Sequence, residues 1–198
     1  MGINWENLPK QEGSKCGAYA TLYYLIKIGV LGDELKEKLK KKANEIYNKV
    51  KFKYESANGS HPNKIVTYIN TLLKEVDLYY LEKGGSKQVS IVKGYWQKDI
   101  VEDGIDEMGL EFKTVDGKLE DILKGNTNEK YAIGIYMPEG WKYNGANSLE
   151  QLHYMLTKKS EKDGKIKVIN SNSPERGWIE LKDTIYCFSG LLIKTKIE

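Results

Sequence analysis

Cys16 stands where a thiol can do chemistry. It is followed by Gly17-Ala18-Tyr19-Ala20 and then by the apolar run Thr21-Leu22-Tyr23-Tyr24-Leu25-Ile26, and Gln11 lies five residues upstream. Small and apolar residues after the cysteine predict a buried helix that begins at the thiol itself. A helix N-terminus offers unpaired N–H groups and a partial positive charge, which favour thiolate over thiol. The same N–H groups can receive the oxyanion of an acyl intermediate, with the Gln11 amide as a second donor. Gly17 is expected to leave room for a substrate backbone beside the sulfur. The competing reading of Cys16 is a small buried hydrophobe.

A thiol nucleophile needs a base, and the chain holds two histidines, His61 and His153. His61 precedes Pro62 at a helix entry, so a structural or exposed position is expected. His153 opens a strand-like run after a loop rich in glycine and asparagine, placed to meet a helix end packed on the sheet. The next strand brings Asn170 and Asn172, either of which can hold the imidazole in one tautomer through its side-chain carbonyl. A loop over residues 160–164 would pair residue 159 with 165 and set His153 opposite Ser171. Asn170 and Asn172 would then flank it on one face. Asn170 ends the regular apolar run and is the preferred partner. Trp141 and Tyr143, in the loop before His153, are candidates to line a cleft.

The elements that must position these groups follow from periodicity. A first helix is expected over residues 16–31, apolar all round and therefore buried, stopped by Gly32-Asp33. A second spans residues 34–50, with Leu35, Leu39, Ala43, Ile46 and Val50 as its inner stripe and lysines over the rest. A third starts near Pro62 and is lined by Ile65, Ile69, Leu72 and Val76. Short strands are expected over 77–82 and 87–93, a helix over 96–108, a strand over 110–113 and a short helix over 119–124. Strands over 131–137, 153–159, 165–170, 177–181 and 186–196 follow. Helices first and strands second predict an α+β domain with an antiparallel sheet. It would be one domain, with a helical lobe over about 1–125 and a sheet lobe over about 126–198.

Composition removes several classes. The net charge is +3 and Arg176 is the only arginine, so bidentate readout of phosphate or base is nearly absent and no nucleic-acid partner is expected. Two histidines and two cysteines give no zinc spacing, and no phosphate-cradling glycine loop occurs, so neither metal nor cofactor is expected. The longest apolar run is too short to span a membrane. Met1–Lys10 does not read as a signal peptide, which places the chain in the cytoplasm, or outside the cell if a leader has been removed. Heavy use of lysine, isoleucine and asparagine suggests an AT-rich bacterial gene. Cys187 is expected to be a buried structural thiol in the last strand.

The order glutamine, cysteine, histidine, asparagine resembles that of papain-like cysteine peptidases. Cys16-Gly17-Ala18-Tyr19-Ala20, the strand Tyr131-Ala132-Ile133-Gly134-Ile135-Tyr136 and the later Val168-Ile169-Asn170 are most similar to the bacteriocin-processing, double-glycine-leader branch and its stand-alone relatives. The resemblance implies a papain-like fold and hydrolysis of a peptide or protein substrate. Cys16 would be the nucleophile, His153 the base, Asn170 its orienting group and Gln11 an oxyanion donor. Two other functions fit the same residues. One is a papain-like module that binds a peptide or partner without catalysis. The other is a toxin or effector that cleaves or deamidates a single host protein.

Overall fold

The computed structural model describes residues 7–32, 35–52, 59–74, 76–81, 113–115, 118–123, 130–141 and 151–195. The helices and strands expected over 87–93 and 96–108 lie outside these, as do Tyr143 and most of the strand expected over 110–113. Within them the chain is α+β. Helices α1 (Cys16–Lys27), α2 (Lys36–Val50) and α3 (Pro62–Leu72) come first, and a four-residue helix α4 (Leu119–Ile122) comes later. The strands are β1 (Val76–Leu81), β2 (Lys113–Val115), β3 (Tyr131–Pro138), β4 (His153–Lys159), β5 (Ile166–Ile169), β6 (Ile179–Glu180) and β7 (Tyr186–Thr195). They form one sheet in the order β2-β1-β7-β3-β4-β5-β6. Every neighbouring pair is antiparallel except β1 with β2.

α1 is buried from Cys16 through Ile26. A helix with no polar face must be covered on all sides. α2, α3 and the sheet do this, as one core that joins Leu22, Leu25, Ile46, Ile65, Ile133 and Leu156. Full burial of each such side chain contributes roughly 1.5–3 kcal/mol. The segment before α1 is tied down as well: Leu8 is buried, and the Tyr23 hydroxyl donates to the Pro9 carbonyl at 2.6 Å. On the other face of the sheet, Ala132, Tyr136, Met155, Val168 and Leu192 pack with α4 in a second cluster.

Several sequence expectations are corrected. α1 stops at Lys27, not residue 31, because Gly29 takes a φ of 80° and the Val30 and Leu31 N–H groups fold back onto the Leu25 carbonyl. That arrangement is how helices commonly end. α2 starts at Lys36, and Leu35 is its exposed N-cap, not part of its inner stripe. α3 ends at Leu72, whose side chain is exposed, and Val76 belongs to β1. The Asn70 amide drives this change: its Oδ1 accepts the Val76 N–H at 2.6 Å and turns the chain into the strand. The sheet is not confined to the C-terminal part of the chain. β1 inserts beside β7 and carries β2 at the edge. His61 is fully buried, its Nδ1 accepts the Asn63 N–H at 3.2 Å as the cap of α3, and its ring meets Phe52 edge-on.

Candidate active site

Cys16 is the first residue of α1. No side chain caps that end, and its first turn holds no acidic residue. The N-terminal N–H groups therefore stay free to act on the thiol and on whatever binds beside it. His153 is the first residue of β4, opposite Tyr136 on β3, and α1 packs against β4. Cys16 and His153 thus come from two elements that meet in the core, 137 residues apart in sequence.

His153 Nε2 lies 2.8 Å from Asn170 Oδ1. An amide oxygen only accepts, so Nε2 carries the proton and Nδ1 is left for the thiol. Burial works against ionising Cys16, but the hydrogen bond and charge of His153 outweigh it, helped by the Tyr154 and Gly17 backbone. The net effect holds the thiol below its ordinary range. Burial also works against the imidazolium, and the Cys16 hydrogen bond and charge outweigh it with help from Asn170, so His153 is shifted upward. Both shifts favour a thiolate–imidazolium pair. The Tyr186 ring stacks on the imidazole, with centroids 5.1 Å apart and planes 20° from parallel. It covers the ring and limits its rotation.

Asn170, and not Asn172, contacts the histidine, but the ladder does not put it there. β4 and β5 pair Lys159 with Ile166 and end at Leu156 with Ile169. The expected pairing of 159 with 165 is off by one, and no β5 residue stands across from His153. The loop causes the slip: Ser160 N–H donates to Lys165 O at 2.8 Å, and Gly164 N–H to Ser160 O at 2.9 Å. Asn170 then leaves the strand in a turn, where its Oδ1 also accepts the Asn172 N–H at 2.9 Å. Because Asn170 raises the imidazole pKa, Asn170→Ala should lower the His153 midpoint in an NMR titration. Asn172→Ala should leave it in place, since Asn172 contributes only its backbone; the reverse pattern would refute this assignment.

Gln11 borders the cleft in a tight local network. Its backbone N–H donates to Ser171 O at 2.9 Å, its Oε1 accepts the Ser171 hydroxyl, and its Nε2 donates to Gly13 O at 2.9 Å. Its amide nitrogen is therefore engaged within its own loop. The cleft beside Cys16 has a volume of about 350 Å³, and its walls include Phe52 and Ser60 on the helical side and Pro138, Leu152 and Tyr186 on the sheet side.

Two expected cleft residues have other roles. Trp141 is buried in the main core and does not line the cleft. Gly17 does not leave space for a substrate: a Cβ there would lie 2.4 Å from Ser60 Cβ. The space is filled by Ser60, whose carbonyl accepts the Tyr154 hydroxyl at 2.7 Å. Cys187 is a free, half-buried thiol with its Sγ 3.4 Å from the Met137 carbonyl, so it is less enclosed than expected. Sequence reasoning missed Tyr186, Ser60 and the role of Ser171. Tyr186 reaches His153 because β7 pairs with β3 across a register shift between Ile135 and Tyr136, which no local pattern announces. Among the described residues no group of histidine, cysteine and carboxylates is arranged to hold a metal ion.

No family model, curated protein or solved structure matches this chain. The reading of the site therefore rests on its own geometry.

Proposed function

We propose that the chain is a thiol peptidase of papain-like design, acting through Cys16, His153 and Asn170. The observation that carries this reading is one histidine held between two partners. Its Nε2 is fixed on Asn170 Oδ1 at 2.8 Å, and its other side faces a thiol at an uncapped helix N-terminus. A buried cysteine kept only for packing needs no oriented imidazole beside it.

In this mechanism the Cys16 thiolate attacks a peptide carbonyl bound in the cleft. The oxyanion is received by N–H groups at the start of α1. Gln11 adds a donor by exchanging Gly13 O for the oxyanion at its Nε2. The His153 imidazolium gives its proton to the leaving amine, and the carbon–nitrogen bond breaks to leave a thioester on Cys16. Water then attacks the thioester, with neutral His153 taking its proton, and the thiolate is restored. Asn170 and the stacked Tyr186 keep the imidazole plane constant through both proton transfers. The substrate lies extended between the helices and the sheet.

Iodoacetamide at neutral pH, followed by peptide mapping, tests the reading. Burial alone favours Cys187, which is half-buried, over Cys16, which is 7% exposed. The electrostatics favour the opposite order: Cys16 is shifted down, and burial and then Glu139 shift Cys187 up. Cys16 should be modified at least about tenfold faster, since the thiolate is the reacting species. Equal, slow labelling of both thiols would instead indicate a binding module without catalysis.

A further inference from the structure

Helix α2 carries six lysines and two glutamates in its 15 residues, a net of +4 in a chain whose whole net charge is +3. Exposed lysines most often only keep a helix face in water, but six against two glutamates leave this face largely of one sign. Two of these lysines are committed: Lys40 pairs with Glu12 at 2.6 Å, and Lys42 with Glu45 at 3.3 Å. Lys36, Lys38, Lys41 and Lys49 are exposed, and among the described residues no carboxylate pairs with them. The surface here is also concave. Lys38, Lys41, Lys42 and Glu45 edge a pocket of about 390 Å³ that Leu31 and Leu39 help to line. Leu35, 73% exposed, stands at the start of the same helix.

We propose that this pocket and the lysine face of α2 dock an acidic polypeptide segment, with one of its apolar side chains in the pocket and its carboxylates on Lys38, Lys41 and the neighbouring lysines. Charge complementarity selects the partner, and the apolar lining selects its anchor. A bilayer surface cannot enter a concave pocket. Nucleic acid is disfavoured because α2 has no arginine and presents Glu37 and Glu45 among its lysines. The surface is separate from the cleft, so the inference does not depend on the peptidase reading.

The test uses the full chain and a fluorescein-labelled peptide of twelve residues, glutamate and glycine around a central leucine, read by fluorescence anisotropy. Its affinity at low salt should exceed that of the same peptide with glutamine for glutamate by about tenfold or more. It should fall at least as far in 0.5 M salt, where exposed charges are screened within a few ångströms. Exchanging the leucine for serine should weaken binding several-fold. The double variant Lys38→Glu, Lys41→Glu should lose about tenfold or more, with the Cys16 alkylation rate unchanged. Lys182→Glu, at an exposed lysine just after β6, should leave the affinity as it was. The proposal is overturned if the glutamine peptide binds equally well, or if Lys182→Glu costs as much as the double variant. It is also overturned if phosphatidylserine vesicles bind the chain while the acidic peptide does not.

Discussion

Replacing Cys16 with alanine is expected to reduce peptide hydrolysis by at least about a thousandfold, because a covalent route has no substitute nucleophile. The fold should survive. The change removes one sulfur from a packed site, a loss of about 1 kcal/mol, so the melting temperature should move by only a few degrees. His153→Ala should be nearly as damaging, with a signature of its own. Burial alone raises the Cys16 pKa; the His153 hydrogen bond and charge bring it below the ordinary value. Without the histidine burial is opposed only by the Tyr154 and Gly17 backbone, so the midpoint for alkylation of Cys16 should rise above its value in the intact protein. In the proposed mechanism the two shifts set the pH profile of hydrolysis. A lowered thiol pKa moves the acidic limb down, and a raised imidazolium pKa moves the alkaline limb up. The result is a broad bell, active where thiolate and imidazolium coexist. Hydrolysis retained by Cys16→Ala, or an alkylation midpoint unmoved by His153→Ala, would sink the mechanism.

The second large effect is on stability and falls on Gly17. Alanine is normally welcome in a helix and gains up to about 1 kcal/mol over glycine. At this position its methyl group would lie 2.4 Å from Ser60 Cβ and 2.6 Å from Ser60 Oγ. Ser60 Cβ cannot swing away by a rotamer change, since it hangs directly on the backbone. That backbone is held by the Tyr154 hydroxyl and by the bridge between Lys51 and Ser60. Either the start of α1 or the strip at Ser60 must move, so Gly17→Ala should cost about 2–3 kcal/mol net, in the upper part of the overpacking range. Urea denaturation measures it. Adding Ser60→Gly should recover most of the loss, because the two changes meet at one contact and are not additive. If Gly17→Ala is as stable as the parent chain, the close approach of α1 to Ser60 is wrong. The same variant displaces Cys16 relative to His153, so its alkylation should slow as well.

The identity of the candidate site residues was legible because each sits at a junction that sequence marks. Cys16 opens an unbroken apolar run, and burial of all its neighbours follows from the absence of a polar face. His153 begins a strand that follows a glycine- and asparagine-rich stretch of sequence, and Asn170 comes directly after the apolar run of the next. The helix at Lys36–Val50 was visible by its 3.6-residue period, a local property of the chain, and the strand at Tyr131–Pro138, buried on both faces, as a short apolar run. The choice of Asn170 over Asn172 is a different case. The register argument that favoured it assumed a ladder that does not reach His153, and a turn after Ile169 is what brings the amide to the ring.

What only the tertiary structure decided are the contacts between segments far apart in sequence. Gly17 suggested an open place beside the sulfur, and the fold fills it with Ser60 from a different segment. Trp141 lay in a loop near the histidine and packs in the core instead. Tyr186 looked like the start of a strand, and the β3–β7 pairing lays it on the imidazole. Ser171 and Gln11, 160 residues apart, share a hydrogen bond. The physical reason is common to all four. Local pattern sets which face of an element is apolar and where the element begins, because those depend on neighbours along the chain. Register, the depth of a glycine and the partner of a polar tip depend on which surfaces meet, and that is determined only when the whole core packs.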